Sequence, residues 1–251
     1  MKKKGVIELA DGEFPVNKIP IGKIIKGNLD LRHSKITKLP KTLSVDGNLD
    51  LSGTDISKLP KRLSVSGNLD LSETFIEVLP NKLRVDGDLR LCGSRIRTLP
   101  KRISIGGDLD LRATKITRLP DGLVVVGDLY LSGTLIESIP SGLKVGGDLY
   151  LGNTEIKKLP DNLSVTGGLD LSATPITELP KGLRVGAWLN LVGTSIKSLP
   201  KGLHVGDWLD LRVAEVKKLP KDLRVGGDLY LAGTRIKKVP GSVQVGGAIE
   251  F

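Results

Sequence analysis

The chain has 251 residues, room for one large domain or two small ones. Three Phe, three Tyr and two Trp are too few rings for the core of a typical globular enzyme, so an aliphatic core built by stacking is expected. A net charge of +10 permits an acidic partner and excludes an acidic mimic of DNA, while one cysteine and two histidines exclude a disulfide framework and a Cys- or His-based zinc site.

The N-terminus, MKKKGVIELADG, is charged but no long apolar run follows, so no Sec signal peptide is expected. No stretch reaches the length of a membrane span, and the default location is the cytoplasm, with export by another route left open. Residues 1–26 read as an N-terminal cap with a degenerate repeat. In it Val16, Ile19 and Pro20 hold repeat-like places, Lys23 breaks the pattern, and Lys18 and Lys26 add charge. From Gly27 the sequence repeats every 20 residues without insertion, giving eleven copies over residues 27–246. Residues 247–251 form a partial C-terminal copy.

Each copy reads G-x-L-x-L-x-x-T-x-I-x-x-L-P-x-x-L-x-V-x. Positions 3 and 5 are Leu throughout, and positions 10, 13, 17 and 19 are always Ile, Leu or Val. One copy cannot bury six aliphatic side chains alone, but stacked copies can. The alternation at positions 3 and 5 predicts a short strand with Leu inward. Position 14 is always Pro, from Pro40 to Pro240, which ends the strand and argues against a helix on the return leg. An extended, polyproline-like or short 3-10 return is expected. Position 8 is Thr in eight copies and Ser in two (Ser34, Ser94), with Ala214 the exception, so a hydroxyl ladder at the turn is expected.

The segment Leu129-Tyr130-Leu131-Ser132-Gly133-Thr134-Leu135-Ile136 resembles the core L-x-L-x-x-N-x-L of leucine-rich repeats, with Thr in the Asn place. The 20-residue period and the Leu-Pro that follows resemble the short bacterial class found in effector proteins. This resemblance implies a solenoid: a curved stack of parallel strands with extended or 3-10 return legs. It also implies a bacterial or phage protein acting on a host component. Two departures stand out. The family's leading Leu is absent, its place taken by apolar positions 17 and 19 (Leu43 and Val45 in the first copy), and the capping cysteines of extracellular members are missing. The alternative is a flatter β-solenoid with a second short strand at positions 17–19.

Positions 2, 4 and 6 flank the inward leucines and are expected on the exposed strand face. Columns 2 and 4 hold eleven Asp and one Arg, a charge of −10, which leaves +20 for the rest of the chain and predicts an acidic sheet with basic edges and back. Five of the eight aromatic residues fall in these columns: Tyr130, Tyr150 and Tyr230 in column 4, Trp188 and Trp208 in column 2. With successive strands about 4.8 Å apart, Trp188 and Trp208 are neighbours, as are Tyr130 and Tyr150. These rings and Asp210 form the candidate partner-binding site, since Tyr and Trp dominate hot spots and acidic columns favour a basic protein surface. Cross-strand ring pairing for stability alone is the competing explanation.

The alternative site is a basic face with Lys181, Lys201 and Lys221 at position 15 and Arg184 and Arg224 at position 18, which could track a nucleic-acid backbone. Solvated lysines that keep a solenoid soluble are the simpler account. Arg90, Arg95 and Arg97 lie near Cys92 in sequence and could lower its thiol pKa. The repeated Gly-Gly-Asp resembles part of a calcium β-roll but lacks the nonapeptide period. With no phosphate loop, nucleophile elbow or distinct carboxylate pair, the expectation is a non-enzymatic recognition protein without cofactor or metal. A structural or self-assembling solenoid is the third class. The C-terminal copy supplies a strand without a covering element, which suggests a two-fold homodimer through Ile249 and Phe251, or Phe251 folding over the last core layer instead.

Overall fold

The computed structural model describes residues 6–8, 24–161 and 163–251. Val16, Lys18, Ile19, Pro20 and Lys23, on which the N-terminal cap was argued, lie outside the described residues. The chain divides into two compact units, Met1–Gly127 and Asp128–Phe251.

Both units are β-solenoids. Every 20-residue coil carries a short strand at positions 3–4, such as Leu49–Asp50 in the first unit and Leu149–Tyr150 in the second. It also carries a second strand at positions 18–19, such as Arg84–Val85 and Arg184–Val185. The alternative with two strands per coil therefore describes this part of the architecture. Each strand pairs in parallel with the same strand one coil away, with Leu149 facing Leu169 and Val165 facing Val185. Parallel register at 20-residue spacing puts identical repeat positions in columns, so the sequence pattern becomes a set of side-chain ladders. At the N-terminal end, Val6–Glu8 pairs with Ile24–Lys26 at a shorter spacing, Val6 facing Ile24. Among the described residues there is no α-helix, and no helix is long and apolar enough to cross a membrane.

The core is aliphatic, as expected: its buried hydrophobic members among the described residues are Leu, Ile and Val with Ala214. Leu129, Leu131, Ile136, Leu143 and Val145 show one layer, all buried. Burying each such side chain contributes about 1.5–3 kcal/mol, and each layer is covered by the next. Between the strands the return leg is extended and closes with a β-turn, in which the Leu83 amide donates to the Pro80 carbonyl at 3.1 Å and Leu163 to Pro160 at 3.1 Å. Proline suits that place because its amide would have no partner.

Position 8 hydroxyls form the expected column, but the threonines bond within their own coils: Thr134 Oγ1 donates to the Leu131 carbonyl at 2.7 Å, as does Thr194 to Leu191, whereas the Ser94 hydroxyl is buried without a partner. The corner they brace holds position 7 in the left-handed region in all eleven coils, with φ between 52° and 76°. Glycine fills that place at Gly53, Gly93, Gly133, Gly193 and Gly233; elsewhere a side chain bears the strain, including β-branched Val213 at φ 60°.

Candidate functional site: a ring row on the strand face of the second unit

Column 2 has a structural task that its Asp and Asn residues disclose. Within each unit an Oδ1 of this column accepts the amide of position 2 in the following coil: Asn28 from Asn48 at 2.9 Å, Asn48 from Asn68 at 2.8 Å, and Asp128 from Asp148 at 2.8 Å. These bonds satisfy backbone donors that a two-residue strand leaves over. Position 1 makes room for them. A Cβ on Gly67 would overlap Asn48 Oδ1, and one on Gly167 would overlap Asp148 Oδ1. The repeated Gly-Gly-Asp is therefore a packing motif of the solenoid.

The column changes at three consecutive coils, where position 2 is Gly168, Trp188 and Trp208. None of these side chains has an acceptor, so the amides of Trp188, Trp208 and Asp228 receive no side-chain oxygen from the preceding coil. The two coils after Gly168 and Trp188 also carry the non-glycine residues Ala187 and Asp207 at position 1. With no side chain at Gly168, the Trp188 indole lies where a Cβ would otherwise be.

That indole completes a row. Tyr130 and Tyr150 stack at 4.7 Å between centroids and 6° between planes. Trp188 reaches across Gly168 to meet Tyr150 at 5.6 Å and 48°. Trp188 and Trp208 stack at 5.1 Å and 8°. All four rings are half-buried. Because stacked faces cover one another, the row presents mainly ring edges outward. The tyrosine hydroxyls are engaged: Tyr130 donates to Asp128 at 2.9 Å and Tyr150 to Asp148 at 3.0 Å. Burial, then the Asp148 hydrogen bond and the charges of Asp128 and Asp170, push the Tyr150 phenol up to about 12. The two neighbour pairs expected from the columns are present; the diagonal Tyr150–Trp188 contact was missed, and the signal for it was the lone glycine in column 2.

Two members of the expected site stand elsewhere. Tyr230 donates to Asp228 at 3.2 Å and lies under the Arg212 guanidinium, 5.5 Å from the ring centroid. Asp210 is only 3% exposed. Arg212 clasps its carboxylate at 2.6 Å, and Asp210 also accepts the Arg212 amide at 2.9 Å. This corrects the reading of Asp210 as a surface carboxylate for a partner. The same device joins Arg112 to Asp110 at 2.6 Å and Arg32 to Asp30 at 2.7 Å, where the guanidinium holds the Asp30 carboxyl below its usual range. Position 6 arginines thus offset part of the acidic face, which columns 2 and 4 alone overstate.

Four of the five candidate basic residues border depressions. Arg184, Lys221 and Arg224 border one depression with His204, whereas Lys181 borders another with Lys158, Asp161 and Glu178, where Lys158 pairs with Glu178 at 3.1 Å. Lys201 is exposed and borders neither. Ile249 faces Leu229 in the sheet and is 41% exposed, and Phe251 is 63% exposed. Cys92 departs from expectation: burial pushes its thiol up, followed by the charge of Asp110, while Arg112 acts in the opposite sense. Arg95, one of the arginines invoked to lower it, lies over the Phe75 ring at 4.2 Å. Among the described residues, no group of three or more His, Cys, Asp or Glu is placed to hold a metal ion.

The stacked coils, inward Leu pairs and buried Thr corners give the chain a solenoid fold like that of leucine-rich-repeat proteins. No protein-family model matches the chain, and no curated protein matches it in sequence. Solved structures share the fold. The leucine-rich-repeat protein LIC12759 of Leptospira interrogans matches with a TM-score of 0.53 at 21% identity, over 84% of this chain and 67% of that one. YopM of Yersinia enterocolitica matches with a TM-score of 0.54 at 20% identity, over 89% of this chain and 55% of its own. The chain spans about two thirds of the first and just over half of the second. The likeness is one of fold.

Proposed function

We propose that the chain is a recognition protein that binds a protein partner through the ring row Tyr130–Tyr150–Trp188–Trp208, without catalysing a reaction on it. One observation carries this reading. Where the tryptophans stand, column 2 gives up the side-chain acceptors that it supplies elsewhere in the solenoid. Residues chosen for stability alone would keep that ladder; residues chosen for contact would give it up. Half-buried rings in a fixed row lose little side-chain freedom on binding, which suits hot spots. The carboxylates of Asp148 and Asp170 beside the row favour a partner with basic groups at its rim. Mutual stacking leaves few ring faces open for nucleic-acid bases, which favours protein over single-stranded nucleic acid. In the setting that the resemblance implies, the partner is a host component met by a bacterial or phage effector or inhibitor.

The test is a comparison of the intact chain with a Trp188→Ala/Trp208→Ala variant that keeps its far-ultraviolet spectrum. A protein retained from the native cell by the intact chain is purified, and its affinity for both is measured. We expect a loss of about 2 kcal/mol or more, roughly a factor of 30. Equal affinities would sink the proposal. A matching loss for Lys201→Ala/Lys221→Ala instead would move the site to the basic residues.

A further inference from the structure

The second strands of the second unit carry an outward column of their own at repeat position 18. Arg184 faces His204, and His204 faces Arg224, on adjacent parallel strands. Such strands lie about 4.8 Å apart, so the cationic Arg184 and Arg224 stand about 10 Å apart on either side of His204, with Lys221 at the border. The column continues to Gln244, which faces Arg224. Around it lies an open depression of about 640 Å³, bordered also by Lys221 and Ser242, with Asp222 its one acid.

This crowding has no internal answer. In the first unit, Arg84 stands at the same repeat position and pairs with Asp86, two residues on, at 2.6 Å. The equivalents of Asp86 after Arg184, His204 and Arg224 are Gly186, Gly206 and Gly226. A Cβ at any of these would overlap a carbonyl oxygen of the preceding coil, so an acid there is sterically shut out. Among the described residues, no ion pair takes in Arg184, His204, Lys221 or Arg224. The hydroxyl of Ser242 and the amide of Gln244 add neutral donors at the rim. No Phe, Tyr or Trp borders the depression, so a nucleic-acid base would find only the His204 imidazole to stack on.

We propose that this depression binds a compact polyanion with clustered phosphate groups, held by Arg184 and Arg224 with Lys221, His204, Ser242 and Gln244 as further donors. Guanidinium forks suit phosphate oxygens because they donate two parallel charge-assisted bonds. Two arginines separated by one strand can converge on one phosphate or take two adjacent ones. The site lies on the second strands and is independent of the ring row.

Calorimetric titration of the full chain with inorganic tripolyphosphate tests it. Binding is expected, and the Arg184→Gln/Arg224→Gln variant is expected to bind more weakly by roughly tenfold or more. A Lys197→Gln/Lys217→Gln variant removes the same charge from exposed positions on the return leg and is expected to bind like the intact chain. Failure of the intact chain to bind tripolyphosphate, or an equal loss in both variants, would overturn the proposal, the second because net charge alone would then suffice. Two further arms separate the sources of phosphate. Co-sedimentation with phosphatidylcholine vesicles carrying phosphatidylinositol bisphosphate, lost in the arginine variant, would assign a lipid headgroup; tripolyphosphate binding without it would assign a soluble phosphate ester.

Discussion

Val213 shows what a single position in a repeat can cost. It stands in the left-handed corner at φ 60° with a β-branched side chain that is 66% exposed. A non-glycine residue there costs about 1–2 kcal/mol, and glycine returns part of that as unfolded-state entropy. Val213→Gly should therefore stabilise the protein by about 1 kcal/mol, read as a raised midpoint in chemical denaturation. A lower midpoint would mean that Val213 makes a contact worth more than the strain. Tyr150 gives a residue-scale prediction for pH. A phenol raised to about 12 when folded contributes stability that is complete below its unfolded pKa near 10 and is lost as pH climbs through the folded value. Absorbance titration at alkaline pH should show a late phenol component that Tyr150→Phe removes.

At the scale of the element, the ring row depends on a residue without a side chain. Gly168→Asp would restore the column 2 acceptor for the Trp188 amide and at the same time occupy the space of the Trp188 indole. The fold should survive, because every other coil with Asp at that position is built this way. The contact between Tyr150 and Trp188 should not. The ring-current-shifted Tyr150 proton resonances should move toward ordinary values in the variant, and partner affinity should fall with them; unshifted resonances would mean that the indole has another way across. The row was partly legible in the sequence: two columns and a fixed strand spacing gave the Tyr130–Tyr150 and Trp188–Trp208 pairs. The diagonal contact was not, because column arithmetic compares like positions, and Trp188 and Tyr150 are unlike positions two coils apart. Asp210 was misread for a related reason. Its partner Arg212 lies two residues on, in column 6, which was assigned to the strand face but left out of the charge count.

For the molecule as a whole, the period, the aliphatic core and the Pro-ended strand were legible because each is a local demand repeated eleven times. The second strand at positions 18–19 was less so. A two-residue strand next to a β-turn has too little alternation to outweigh an extended return leg, and its pairing is visible only once coils are stacked. The meaning of the Asp and Asn columns was hidden too, since a carboxylate that accepts an amide from the next coil looks in sequence like any exposed acid. One feature of the finished layout bears on how its unfolding can be watched. All five Tyr and Trp residues lie between Tyr130 and Tyr230, within the second unit. Emission from the indoles is therefore blind to the first unit, whereas peptide-bond circular dichroism averages both. Leu69→Ala, at a fully buried site of the first unit, should cost about 2–5 kcal/mol locally. Because each coil is supported mainly by its neighbours, the dichroism midpoint should shift more than the emission midpoint. Coincident shifts would mean that the two units melt as one; a gap between them makes the indoles a private gauge of the half of the molecule that carries the ring row.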